Sequence, residues 1–200
     1  MKKILLIGAG GHCKSCIDVI EQLGLFEIAG IIDNAESVSG QVLDYPIIGT
    51  DIDLFDLRNE FEYAFVTVGQ LRSAELKIRL YNTLKKYGYK IPTLISPLAY
   101  VSKYAQIGSG TIVMHHALVN TNARIGINCI INTKALVEHD AQIGDHCHIS
   151  TSAVINGGVV VGHSCFIGSN ATTKQSCQIK DYEFIKANSL FMGSEVSNNE

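Results

Sequence analysis

Glu138-His139-Asp140 is the stretch of this 200-residue chain best suited to moving a proton. An imidazole changes charge near neutral pH and a neighbouring carboxylate can orient it, so His139 is a candidate general base, with Glu138 and Asp140 beside it. Gly157 follows His139 by 18 residues. A glycine N–H has no side chain in front of it, and a base next to such a donor suits acyl transfer, in which one group removes a proton and the other holds the oxyanion. A plainer reading stays open beside this one. Six of the seven histidines, His115, His116, His139, His146, His148 and His163, fall in one stretch, where solvated corners would accommodate them equally well. A second constellation is the turn Gly8-Ala9-Gly10-Gly11-His12. Backbone N–H groups at the start of a helix can face a phosphate, although a tight strand-to-helix turn needs glycine in any case. Cys13-Lys14-Ser15-Cys16 has the spacing of a redox pair, but it falls at the start of a helix, inside that motif.

The elements that position His139 are set by a six-residue repeat. From Ile95 to Ile185 an Ile or Val returns at every sixth position, with Thr173 as the one lapse, and a small residue follows four positions later at all but Glu183. Neither a helix nor a simple alternating strand has this period. Gly108, Gly126, Gly144 and Gly162 fall 18 residues apart, so three hexads close one coil. Each coil is then a triangle of three short parallel strands that buries its aliphatic residues only by stacking on its neighbours. On this reading Gly157 lies one rung above His139. Cys129, Cys147, Cys165 and Cys177 occupy the inward small-residue slot and act as small apolar groups. The pattern resembles the left-handed parallel β-helix of the hexapeptide-repeat acyltransferases.

Ahead of the repeat, strands and helices alternate. Strands are expected over 2–7, 26–32 and 63–68, and helices from the glycine turn to Gly24, over 51–58, and from Gly69-Gln70 to about Tyr87. The fold class is therefore an α/β Rossmann-like domain over 1–90 followed by a β-helix over 91–200 with a polar C-terminal tail. A dinucleotide fingerprint needs a third glycine where the chain has Cys13, which argues against NAD. Gly8 to His12, Asp33-Asn34 and Gly69-Gln70 are three strand ends, where open α/β sheets bind ligands. Asp33 there could bond a sugar hydroxyl or a base.

Composition excludes little beyond this. A net charge of −3 gives no reason to expect nucleic acid or an acidic membrane surface. The apolar run after Met1-Lys2-Lys3 stops at Gly8, too short for a signal peptide, and no segment would span a bilayer, so a cytoplasmic location is expected.

Taken together, Ile7-Gly8-Ala9-Gly10-Gly11-His12, Ile32-Asp33-Asn34, Val68-Gly69, and Asn132-Thr133 followed by Val137-Glu138-His139-Asp140 resemble the bacterial sugar acetyltransferases. The similarity is to the UDP-4-amino-sugar N-acetyltransferases, with the sialic acid O-acetyltransferases nearby, and it runs to about residue 180. The resemblance implies an acetyl-CoA-dependent homotrimer without a metal, with active sites between neighbouring β-helices. It implies acetylation of the amine of a nucleotide-linked 4-amino-4,6-dideoxy sugar, with O-acetylation as the alternative. It makes His139 the base and Asp140 its orienting group. Gly10, Gly11, His12, Asp33, Asn34, Gly69 and Asn132 would bind the nucleotide sugar, and His148, Gly157 and Gly158 the acetyl-CoA. The family's usual Gly-x-Pro-Ala-basic ending is absent here. Two other classes are weighed against it. A β-helical zinc carbonic anhydrase is disfavoured by the lack of a His-x4-His pair, and a non-catalytic nucleotide-sugar-binding protein by the intact Glu138-His139-Asp140.

Overall fold

A computed structural model describes residues 1–34 and 40–195, so the end of the polar tail lies outside the described residues. The chain clusters into two compact units, residues 1–69 with 75–94, and residues 70–74 with 95–200.

In the first unit β1 (Lys2–Ile7), β2 (Phe26–Ile32), β4 (Tyr45–Gly49) and β5 (Tyr63–Val66) form a parallel sheet in the order β4-β2-β1-β5. A two-residue strand, β3 (Gln41–Val42), pairs antiparallel with β4 and was not expected from the sequence. Ile4, Leu5, Leu6, Ile31, Ile32 and Phe65 are fully buried, which is why these strands read as continuous apolar runs. Helix α1 (Gly11–Leu23) lays Cys13, Cys16, Ile17 and Ile20 on the core, and Gly24 ends it in the left-handed conformation, its N–H bonded to the Ile20 carbonyl. The redox-pair spacing of Cys13 and Cys16 is thus part of a buried helix face. Helix α2 (Leu54–Leu57) is a single turn, shorter than the expected 51–58, and β5 stops two residues before Val68.

The largest departure is at α3 (Glu75–Lys86), which begins five residues later than Gln70. A helix starting at Gln70 would direct the Gln70 carbonyl to residue 74. Instead that carbonyl accepts from His148 Nδ1 at 2.7 Å, while Gln70 Nε2 donates to the Cys165 carbonyl at 3.3 Å. Gln70 is 2% exposed. These tertiary bonds hold Gln70 against the repeat, and the chain bends through 71–74 before the helix begins.

The second unit is the left-handed parallel β-helix, with three six-stranded sheets as its faces. The first face carries Ile112–Val113, Ile130–Ile131, His148–Ile149 and Phe166–Ile167. The second carries Leu118–Val119, Leu136–Val137 and Val154–Ile155, and the third Arg124–Ile125, Gln142–Ile143 and Val160–Val161. Pairing is in register at an 18-residue step, Leu136 on Leu118 and on Val154. The hexad aliphatics and the small residues four positions on form one continuous core, including Cys129, Cys147, Cys165 and Cys177. Each fully buried Ile or Val contributes roughly 1.5–3 kcal/mol. Thr173 is accommodated because its hydroxyl accepts from Asn156 N at 3.0 Å. The glycine column marks a tight corner: a Cβ on Gly108 would stand 2.7 Å from the backbone of Gly126, and one on Gly144 2.7 Å from that of Gly162.

A second hexad column governs the corners. Three positions after each aliphatic, His116, Asn122, Asn128, Lys134, Asp140, His146 and Ser152 all take φ between 53° and 61° or, at Asp140, 62°. Asn, Asp and His tolerate this left-handed conformation best among the non-glycine residues. At the far end, Ser194–Glu195 turns back antiparallel on Cys177–Gln178 and so covers an otherwise open edge.

Candidate active site

His139 sits in the corner between the second and third faces, directly after Leu136–Val137. Asp140 follows in the left-handed conformation, which folds its carboxylate back onto the preceding ring, and Oδ2 accepts from His139 Nδ1 at 2.8 Å. An ionised carboxylate only accepts, so Nδ1 carries the hydrogen and the neutral ring presents Nε2 as its acceptor. The coil below fixes both carboxylates. Asn122 Nδ2 donates to Asp140 Oδ1 at 2.7 Å, and Asn120 Nδ2 to Glu138 Oε2 at 2.7 Å. Glu138 Oε2 in turn accepts from the His139 backbone N–H at 3.2 Å. Asn120 and Asn122 were missed in the sequence, although the same 18-residue step points from Glu138 and Asp140 to them.

The Asp140 hydrogen bond raises the His139 pKa above the ordinary imidazole value, and the Asp140 and Glu138 charges act in the same direction. Asp140 is held below the usual carboxylate range, first by Asn122 and then by His139. A raised pKa makes the base stronger but leaves it protonated to a higher pH. Asp140→Asn is therefore expected to move the acid limb of the kcat/KM profile to lower pH while lowering the plateau. Unchanged limb positions in a pH-rate series would refute the coupling.

Gly157 lies against the Nε2 side of the imidazole: a Cβ built there would stand 2.7 Å from Nε2 and 2.8 Å from Cε1. The Gly158 N–H donates to the His139 carbonyl at 3.0 Å, so it is committed to the ladder. The Gly157 N–H has no acceptor among the described residues. The imidazole and a backbone donor thus meet on adjacent rungs.

His148 is placed differently. It lies on the first face, only 6% exposed, with Nδ1 bonded to the Gln70 carbonyl and Nε2 3.1 Å from Asn132 Nδ2. Since Asn132 Oδ1 accepts from Thr133 N at 2.8 Å, its amide donates to His148, and the ring is the Nδ1–H tautomer. Asn132 and His148 therefore form one network. His148 stands on a face that does not include His139, as the nine residues between them require, and Asn132 directly follows the Ile130–Ile131 strand of that face.

In the first unit, Gly10 is the N-cap of α1 with no side-chain cap, and the Cys13 N–H bonds back to the Gly10 carbonyl at 3.0 Å. A Cβ on Gly10 or Gly11 would meet nothing within 4 Å, so this turn is open to a ligand. His12 lies beside Gly69, at 3.4 Å from a Cβ built there. Asp33 is drawn into the turn, Oδ2 accepting from Ala9 N at 3.0 Å and Oδ1 from Asn34 N at 2.8 Å. Beyond the strand ends opens a crevice of about 350 Å³ that includes Gly8, Asp33, Asn34 and Asp51. Among the described residues no three His, Cys, Asp or Glu side chains converge as a metal site requires, and no helix is long and apolar enough to cross a membrane.

Residues 3–84 match the PglD N-terminal domain family, and 140–175 the bacterial transferase hexapeptide (six repeats) family. No curated protein sequence matches the chain. Among solved structures, PerB from Caulobacter crescentus, in complex with CoA and GDP-perosamine, is 30% identical over 98% of this chain and 91% of its own, with a TM-score of 0.90. The acetyltransferase domain of PglB from Neisseria gonorrhoeae, in complex with acetyl coenzyme A, is 30% identical over 97% of this chain and 92% of its own, with a TM-score of 0.87. WeeI from Acinetobacter baumannii, 16% identical over 95% of this chain and 96% of its own with a TM-score of 0.69, shares the fold.

Proposed function

The chain belongs to the bacterial sugar acetyltransferases built on a hexapeptide-repeat β-helix, and from that premise we propose that it moves the acetyl group of acetyl-CoA to the amine of a nucleotide-linked 4-amino-4,6-dideoxy sugar. The observation that carries the assignment to this site is the Asp140–His139–Gly157 stack. His139 Nε2 takes the ammonium proton, the freed nitrogen lone pair attacks the thioester carbon, and the Gly157 N–H holds the resulting oxyanion. Collapse expels the CoA thiolate, which takes up the second nitrogen proton by way of solvent to leave the neutral amide, while the His139 imidazolium returns its own proton to water. Backbone donors in such positions stabilise the oxyanion by several kcal/mol, of order 3–4 per donor. Asp140 and Glu138 orient the base.

Transfer is direct. All six cysteines are buried, which favours attack by the sugar amine over an acyl-thiol intermediate. The first unit holds the nucleotide, its pyrophosphate at Gly10, Gly11 and His12, with Asp33 and Asn34 bracing the turn and Gly69 keeping room for His12. His148 and Asn132 act as a fixed pair that shapes the acetyl-CoA and sugar side, with Gly158 locking the rung above His139.

The enzyme works as a homotrimer in the cytoplasm, where acetyl-CoA and nucleotide sugars are made, and supplies a modified sugar for glycan synthesis. Support for assembly comes from the outward residues of the faces. The second face shows Tyr100, Leu118, Leu136, Val154, Thr172 and Leu190, apolar but for Thr172, and the third Gln106, Arg124, Gln142, Val160 and Gln178, polar but for Val160. The first face is apolar too, but its Ile112, Ile130 and Phe166 are already buried within the chain, whereas Leu118, Leu136 and Val154 of the second stay partly open and suit contact with another copy. Sedimentation equilibrium showing a single 21.7 kDa chain would contradict it. The function itself is tested by incubating the protein with acetyl-CoA and GDP-, UDP- or dTDP-linked 4-amino sugars. Thiol release with matching formation of an N-acetylated product is expected, and release with none of them would overturn the proposal.

A further inference from the structure

We infer that the crevice at the strand ends reads guanine, through Asp51 and Arg79. The inference rests on the reading that this unit holds the nucleotide of the acceptor. Asp51 follows β4, Arg79 lies on α3, and both line the crevice with their charged groups 3.4 Å apart. Their side chains are 40% and 62% exposed, and an isolated ion pair this open to water adds little stability. Ile52 and Leu76 line the same crevice, yet are 88% and 47% exposed. Apolar side chains left open at a pocket mouth suit the two faces of a planar base, and the volume falls within the usual range for small-molecule sites, roughly 300–1,000 Å³.

The edge pattern then selects the base. A carboxylate offers two acceptors side by side and a guanidinium two donors side by side. Guanine presents two adjacent donors, N1–H and the 2-amino group, followed by two adjacent acceptors, O6 and N7. Uracil and thymine alternate acceptor, donor, acceptor. Adenine alternates as well, and cytosine places its lone donor beyond two acceptors. Only guanine gives a bidentate partner to each member of an adjacent Asp–Arg pair, and Arg bonded to O6 and N7 is a common specific contact. Asp33, at the neighbouring strand end, has both oxygens engaged with the backbone of Ala9 and Asn34. Asp33 is thereby turned toward its own turn, and Asp51 is the crevice carboxylate that stands beside a guanidinium.

The test is calorimetric titration of the full chain with GDP, IDP, ADP, CDP, UDP and dTDP. GDP is expected to bind at least about tenfold more tightly than any of the other five. IDP lacks the 2-amino group and isolates the Asp51 contact. Asp51→Asn should weaken GDP more than IDP, which keeps N1–H but has no 2-amino group to lose, and Arg79→Met should weaken both. UDP or dTDP binding as tightly as GDP overturns the inference and leaves the acetyltransferase reading intact. IDP equal to GDP in the unaltered protein overturns the role of Asp51. Binding of no nucleotide would overturn the inference together with the reading beneath it.

Discussion

Replacing His139 by alanine is expected to lower kcat for acetyl transfer by about 10²–10⁴-fold, the range lost when a positioned general base is removed. The ring is half exposed, 53% by side chain, so its loss opens no cavity in the solenoid core. The melting temperature should stay close to that of the unaltered protein, and KM for acetyl-CoA should change little. The loss should be largest at neutral pH, where the amine arrives as the ammonium ion and needs the base, and should shrink at high pH as free amine accumulates. A kcat within tenfold of the unaltered enzyme would remove His139 from the mechanism, whatever its contacts.

Gly157→Ala is the second large effect, and it strikes the same ring from above. The added methyl carbon would stand 2.7 Å from His139 Nε2, closer than real contacts allow. The rung backbone is fixed by the ladder, with the Gly157 carbonyl accepting from Ser176 N at 2.9 Å and the Gly158 N–H donating to the His139 carbonyl at 3.0 Å. The imidazole is therefore the part that gives, swinging off Asp140. A displacement of about 1 Å at a reacting group can cost 10²-fold, and kcat is expected to fall by about that much although the residue 157 N–H is retained. Because the two substitutions act on one ring, the double variant should be no slower than His139→Ala alone. Full additivity, or a Gly157→Ala enzyme with more than half the original kcat, would show that the stack of ring on glycine is incidental.

The stack was legible in the sequence because a solenoid turns sequence separation into spatial position. Eighteen residues is one rung, so His139 under Gly157 needed only counting, and the same count reaches Asn120 and Asn122 beneath Glu138 and Asp140. The left-handed column through Asn122, Asp140 and Gly158 was equally periodic but less visible, because Asn, Asp, Ser, His and Lys share it and no single residue type marks it. What counting could not supply is contact with segments outside the repeat. The position of His148 on a strand of the first face followed from its period. Its bond to the Gln70 carbonyl joins residues 78 apart in sequence and reshapes the start of α3, which local helix propensity placed five residues too early. The reach of Asp33 back to Ala9 belongs to the same class: a strand-end carboxylate is visible in sequence, its partner is not.

The mechanism is tested most directly by a crystal structure of the enzyme with CoA and an amino-sugar nucleotide. It predicts the sugar amine nitrogen within hydrogen-bond distance of His139 Nε2, about 2.6–3.2 Å, with the Gly157 N–H facing the place of the thioester oxygen. A sugar amine held against a different histidine, or out of reach of the corner after Val137, would contradict it.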